Sequence, residues 1–155
     1  MALQVGDKIP SFSAKDSKGN DFECLSVVGK KPVVFYFYPK DNTPGCTAQA
    51  CSFRDQYEDF KDLGAEVIGI SSDSNASHEK FAKRYKLPFL LLSDSDKKLR
   101  NLFGVKPSLF GLIPGRVTYV VDKKGIIRLV FDSVVATNHI PKALEAVKKM
   151  VSEKI

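Results

Sequence analysis

The sequence predicts one α/β domain spanning residues 1–155, a central mixed sheet flanked by helices and carrying an N-terminal β-hairpin extension. Three observations predict it. Val33-Val34-Phe35-Tyr36-Phe37-Tyr38 is β-branched and aromatic throughout with no polar face, the pattern of a strand buried on both sides. Further strand-like runs then alternate with helix-periodic segments, which argues for crossover connections and parallel pairing. Late in the chain, Arg116–Asp122 and Ile126–Phe131 are joined through Lys123-Lys124-Gly125 as a hairpin that adds antiparallel strands.

Each element has its own signal. Phe12–Ala14 and Asp21–Cys24 flank Asp16-Ser17-Lys18-Gly19-Asn20, whose turn chemistry predicts a small hairpin. After the buried strand, Phe53, Tyr57 and Phe60 recur at the spacing of one helical face, predicting a helix from about Pro44 to Leu63 that Gly64 ends. Val67–Ser71 reads as a strand, Ala76–Tyr85 as a helix, Phe89–Leu92 as a strand and Lys97–Phe103 as a short helix. A final amphipathic helix, about Pro141–Val151, places Leu144, Val147 and Val151 on one side. No internal repeat or Pro/Ser-rich linker divides the chain. Three strand-helix units followed by a hairpin and a helix make the thioredoxin-like arrangement.

Composition narrows the function classes. Hydrophobic residues make up 43% and charged residues 27%, which supports a packed interior and excludes wholesale disorder. No run approaches the roughly 18 to 20 apolar residues of a membrane helix, so no membrane partner is expected. The charge of +6 comes from basic pairs such as Lys30-Lys31 and Lys123-Lys124 separated by carboxylates, a solvated surface rather than a nucleic-acid groove. The opening residues show no basic and apolar leader, and three cysteines are an odd count for a secreted disulfide framework. The expectation is a soluble intracellular protein with a reactive thiol. His78 and His139, at or near helix starts, are expected to face solvent, and Cys24 to be an ordinary thiol.

The segment that carries chemistry lies between the buried strand and the first long helix, where the carboxyl ends of strands gather reactive groups. Thr43-Pro44 is a helix start: the hydroxyl can cap, and proline suits the first helical position. Cys46 is then the third helical residue, among unpaired N–H groups at the positive end of the helix dipole. Both favour thiolate over thiol. The gain has a ceiling: a free thiol is already a few per cent ionised at pH 7, so full ionisation adds about 30-fold. A larger acceleration has to come from groups that position the substrate and stabilise its leaving group. Cys51 follows five residues on; in an intact helix that spacing leaves the β-carbons roughly 9 to 10 Å apart, far beyond the about 3.8 Å of a disulfide. Pairing of the two would require the first turns to unwind.

Pro39-x-x-x-Thr43-x-x-Cys46 is similar to the active-site motif of peroxiredoxins. The wider stretch 38–55, with its second cysteine, resembles the peroxiredoxin Q or bacterioferritin-comigratory-protein subfamily. The similarity continues through Gly69-Ile70-Ser71, Leu92-Ser93-Asp94 and Leu109–Asp122, and Leu109–Arg116 looks most like plant and cyanobacterial members. The resemblance implies Cys46 as peroxidatic nucleophile, Thr43 as hydrogen-bond partner of the bound peroxide and Pro39 as the residue shaping the pocket. It implies Arg116 as the cation holding the thiolate and the developing oxyanion, and Cys51 as resolving thiol. Hydrogen peroxide and small organic hydroperoxides would be the substrates and thioredoxin the reductant. No metal or organic cofactor is implied, because sulfur itself changes oxidation state. With both thiols on one chain a monomer suffices, and the plant-like stretch implies a plastid in a plant or alga, the cytoplasm otherwise.

Other readings are weaker. A zinc site needs about four ligands in paired spacing, which Cys46, Cys51 and two distant histidines do not supply. A thioredoxin-type reductase would show C-x2-C. A redox-switched interaction protein without peroxide turnover is the alternative, separated from a peroxidase by a steady-state assay. Arg54 either polarises the site or pairs with a carboxylate.

Overall fold

The structure, a computed structural model, describes residues 3–41, 43–94, 96–105, 116–132 and 138–152. Strands β1 (Ser13–Asp16) and β2 (Asp21–Glu23) form the expected hairpin, and a 3₁₀ turn at Cys24–Ser26 follows. β3 (Val33–Phe37) then leads into α1 (Pro44–Asp55), α2 (Tyr57–Asp62) and β4 (Glu66–Ser71). α3 (Asn75–Tyr85), β5 (Leu90–Ser93), α4 (Lys98–Phe103), the pair β6 (Val117–Val121) and β7 (Ile127–Asp132), and α5 (His139–Ser152) complete the order.

All seven strands join one sheet in the order β2-β1-β5-β4-β3-β6-β7. β3, β4 and β5 run parallel through the helical crossovers; β1 adds antiparallel to β5, and β6 and β7 add antiparallel beyond β3. β3 is therefore an interior strand between β4 and β6, and every one of its residues is buried. Its pleat divides the core. Val34 and Tyr36 pack with Phe53, Phe60, Phe81 and Val147 beneath α1, α2, α3 and α5, while Val33, Phe35 and Phe37 pack with Phe12, Leu99, Phe103 and Tyr119 on the α4 face. Gly69 sits opposite Tyr36, and a β-carbon there would come within 2.8 Å of both the Tyr36 ring and Leu91 Cδ2. Only glycine leaves room for that ring.

Three expectations need correction. The helix predicted across Pro44–Leu63 is two helices, divided at Gln56 (φ −99°, ψ 3°). The break keeps Phe53 and Phe60 under the sheet while the Tyr57 hydroxyl donates to Glu66 Oε1 at 2.7 Å. In α5 the buried stripe is Ile140, Ala143, Val147 and Met150; Leu144 is at its margin and Val151 is exposed, because the core-facing stripe follows the phase of Ile140, which lies before the range the periodicity suggests. His78 and His139 are both fully buried rather than solvent-facing. Each has polar partners inside: His139 Nδ1 lies 2.7 Å from Thr118 Oγ1 and fastens α5 to β6, and His78 belongs to the cluster described below. Among the described residues no helix is long and apolar enough to cross a membrane.

Candidate active site

Residues 38–43 carry the chain from the end of β3 into α1. Thr43 occupies the N-cap with extended backbone (φ −85°, ψ 152°), and Pro44 fills the first helical position, where its missing N–H is no loss. The Thr43 hydroxyl makes no cap bond, contrary to expectation; it donates to the Lys40 carbonyl at 2.8 Å and closes the loop on itself. Cys46 is the third residue of α1, as counted from the sequence, and faces inward with Ala50 and Phe53.

Cys46 is 1% exposed, yet it meets a cation there. Arg116 precedes β6 by one residue, and pleat alternation with Thr118 and Val120 turns it toward the α1 face. Its Nη2 donates to Cys46 Sγ at 3.3 Å and its Nη1 donates to Gln49 Oε1. Gln49 stands three residues after Cys46 on the same helical face, so one guanidinium fork spans two side chains of α1. The structure thus brings Cys46 and Arg116 together. Pro39 and Thr43 lie half-buried in the adjoining loop, and Cys51 lies half-buried further along α1; all three cysteines carry free thiols. Arg54 points elsewhere, to Asp55 and the Tyr85 carbonyl.

Tyr36 floors the site, stacked on Phe53 with ring centroids 4.6 Å apart. Burial pushes its hydroxyl well above the usual tyrosine range; the negative charges at Cys46 and Asp41 add to that, and Arg116 opposes them. A second buried guanidinium approaches from the other face of the sheet. Arg100 of α4 donates from Nη2 to the Tyr38 carbonyl at 2.6 Å, its charge disfavoured by burial and favoured by Asp94 and Cys46.

Behind the loop is a cluster that sequence reasoning missed. Asp41 accepts the Tyr38 hydroxyl on Oδ1 at 2.6 Å and the Ser77 hydroxyl on Oδ2 at 2.8 Å, with His78 Nδ1 2.7 Å from Oδ2. His78 Nε2 lies 2.9 Å from the Leu92 carbonyl, and Asp73 Oδ2 accepts the Asp41 N–H at 2.8 Å. Ligand atoms of Asp41, Asp73 and His78 fall within 4.8 Å of one another, but protein donors already occupy the facing oxygens. This is a hydrogen-bond hub rather than a cation cage. Gln49 could have been found from its three-residue spacing to Cys46, and His78 from its three-residue spacing to the core residue Phe81. Arg100 gives no such signal.

A thioredoxin-like sheet that presents one cysteine at a helix mouth, clasped by an arginine from a neighbouring strand, defines a thiol-chemistry protein. Residues 5–130 match the AhpC/TSA family model, and the chain belongs to that family, in its peroxiredoxin Q branch. It is 54% identical over 131 residues to the chloroplastic peroxiredoxin Q of Populus jackii, an alignment covering 84% of this chain and 61% of that one. The chain spans about three fifths of the length of the first curated relatives it matches. Among solved structures, peroxidoxin BcpB of Mycobacterium tuberculosis superposes with a TM-score of 0.88 at 33% identity, covering 96% of this chain and 98% of that one. The bacterioferritin comigratory protein of Xanthomonas campestris, whose structures concern its alkyl peroxide reduction, gives 0.83 at 29% identity, covering 91% and 92%. The plant-like stretch 109–115 lies outside the described residues.

Proposed function

We propose that residues 1–155 act as one domain that reduces hydrogen peroxide and small organic hydroperoxides through Cys46. The observation carrying this reading is the Arg116 fork on the Cys46 sulfur, a fixed positive charge where charge moves in the reaction. The Cys46 thiolate attacks the distal peroxide oxygen, the O–O bond breaks, and the departing alkoxide or hydroxide takes up a proton. Cys46 is left as a sulfenic acid, two electrons oxidised. Thr43 orients the peroxide through its hydroxyl, and Pro39 shapes the pocket wall. Cys51 then attacks the sulfenic sulfur and expels water, forming an intramolecular disulfide that a thioredoxin-type dithiol reduces. Because both thiols sit on one helix at a spacing no disulfide can bridge, resolution requires α1 to unwind over its first turns. One chain supplies both sulfurs, so a monomer is competent. The plant relatives named for the chloroplast support a plastid location in a plant or alga.

The test is stopped-flow oxidation of reduced protein by hydrogen peroxide, followed by mass measurement and by turnover with a thioredoxin system. Cys46→Ser abolishes consumption. Cys51→Ser completes one oxidation and is then recycled poorly. In the parent, hydrogen exchange across residues 45–53 is faster oxidised than reduced. Normal recycling of the Cys51 variant would refute the resolving role, and slow stoichiometric oxidation of the parent would refute the peroxidase itself.

A further inference from the structure

Asp41 stands midway between Pro39 and Thr43, and the reaction proposed above makes no use of its carboxylate. It is nevertheless 4% exposed, and the imidazole it meets is fully buried. Burying such a pair is costly and is not by itself a source of stability. What distinguishes this pair is where its bonds lead.

We propose that Asp41 and His78 are a positioning pair that fixes the loop carrying Pro39 and Thr43 in its peroxide-receiving geometry; the inference rests on the peroxidase reading. His78 Nε2 faces a carbonyl oxygen, which only accepts, so that nitrogen carries a proton. Nδ1 faces a carboxylate oxygen at 2.7 Å, so a second proton lies between the two groups and the bond is charge-assisted. The ring is therefore a rigid spacer between Leu92 of β5 and the loop. Ser77 of α3 holds the same carboxylate oxygen, and Asp73, itself held by the Ser71 hydroxyl at the end of β4, holds the Asp41 N–H. The Tyr38 hydroxyl donates to the other carboxylate oxygen and ties the start of the loop to its middle. From the opposite face of the sheet, Arg100 grips the Tyr38 carbonyl. Tyr38 and Asp41 are thus pinned to β4, β5, α3 and α4, and Pro39 is suspended between them. Moving reacting groups by about an ångström can cost about a hundredfold in rate. The loop's anchoring is the device that prevents it.

The two amide replacements of His78 separate positioning from bulk stability. The amide nitrogen of His78→Asn falls where Nδ1 was and keeps the bond to Asp41. That of His78→Gln falls where Nε2 was, keeping the Leu92 bond and losing the loop. Each full-length reduced variant is mixed with hydrogen peroxide in stopped flow, and its Cys46 is separately alkylated with iodoacetamide at the same pH. Alkylation needs an accessible thiolate but no peroxide geometry. The expected result is a loss of about tenfold or more in peroxide rate for His78→Gln and of at most about threefold for His78→Asn, with alkylation in both within about threefold of the parent. Ser77→Ala, which removes one half-buried hydroxyl and leaves the ring in place, loses about two- to fivefold by the same logic and serves if His78→Gln does not fold. Equal losses in the two His78 variants, no loss in Ser77→Ala, or alkylation falling in step with peroxide rate would overturn the inference. A slow parent would instead overturn the reading beneath it.

Discussion

Replacing Arg116 with lysine or methionine separates two things a cation beside a sulfur can do. It can raise the fraction of thiolate, and it can stabilise charge as the O–O bond breaks. At the 3.3 Å between Nη2 and Sγ, the gross attraction is about 5 kcal/mol at an effective dielectric of about 20. Desolvation of two buried ions takes back a large part, leaving about 1.5 to 3 kcal/mol for a hydrogen bond to a charged group. Loss of a donor aimed at developing charge costs about 2.7 to 4 kcal/mol, or 10² to 10³ in rate. Methionine keeps the bulk and removes both donors. Lysine keeps the charge, but its compact ammonium cannot span Gln49 and Cys46 as the guanidinium fork does. The assay is the ratio of two second-order rate constants at one pH: oxidation by hydrogen peroxide and alkylation by iodoacetamide. Alkylation needs the thiolate but breaks no O–O bond, so it is expected to fall by less than peroxide oxidation does. Peroxide oxidation is expected to fall by about 10² to 10³ in Arg116→Met, with Arg116→Lys between the two. Equal factors for both reactions would mean the arginine does no more than ionise the sulfur, and the transition-state argument would fail.

Two further predictions concern stability. The Tyr36 hydroxyl is buried without a hydrogen-bond partner among the described residues, so Tyr36→Phe is expected to raise stability by about 1 kcal/mol. Urea unfolding checks it, and a lower midpoint would show that the hydroxyl has a partner. Alkali is expected to unfold the protein progressively above pH 10. Burial pushes Tyr119 up to about 12 and raises Tyr36 and Tyr38 well above the ordinary tyrosine range, whereas tyrosine in the unfolded chain ionises near 10. Over that window the folded state keeps protons that the unfolded state has lost. Stability therefore falls with rising pH, by up to about 1.4 kcal/mol per pH unit for each tyrosine, while below pH 10 these groups add no pH dependence. Unfolding midpoints that stay flat from pH 9 to 11.5 would contradict the assignment.

What the sequence makes legible is what local chemistry decides. β3 could be read because a strand covered on both faces tolerates no polar residue, and the start of α1 because Thr43-Pro44 leaves the backbone few alternatives. Cys46 followed from that start by counting. Arg116 did not: seventy positions away in sequence, it is an arginine like any other until β3 and β6 pair antiparallel and bring it beside α1. Only the resemblance singled it out, and its contact with Sγ exists only once those strands have paired. The histidines show the opposite case. His78 sits in the first turns of α3, where polar residues ordinarily face water, and its burial depends on acceptors from Asp41 and Leu92 that are distant in sequence. A polar side chain inside a core is specified by its partners, so neither its burial nor its use can be read from its own neighbourhood. The same holds for Asp41, which looks like a loop aspartate and gathers Tyr38, Ser77 and His78 on its carboxylate, and donates its N–H to Asp73, only when β4, β5 and α3 are in place. Local pattern therefore locates the sulfur, and long-range pairing supplies the groups that hold it and the loop beside it.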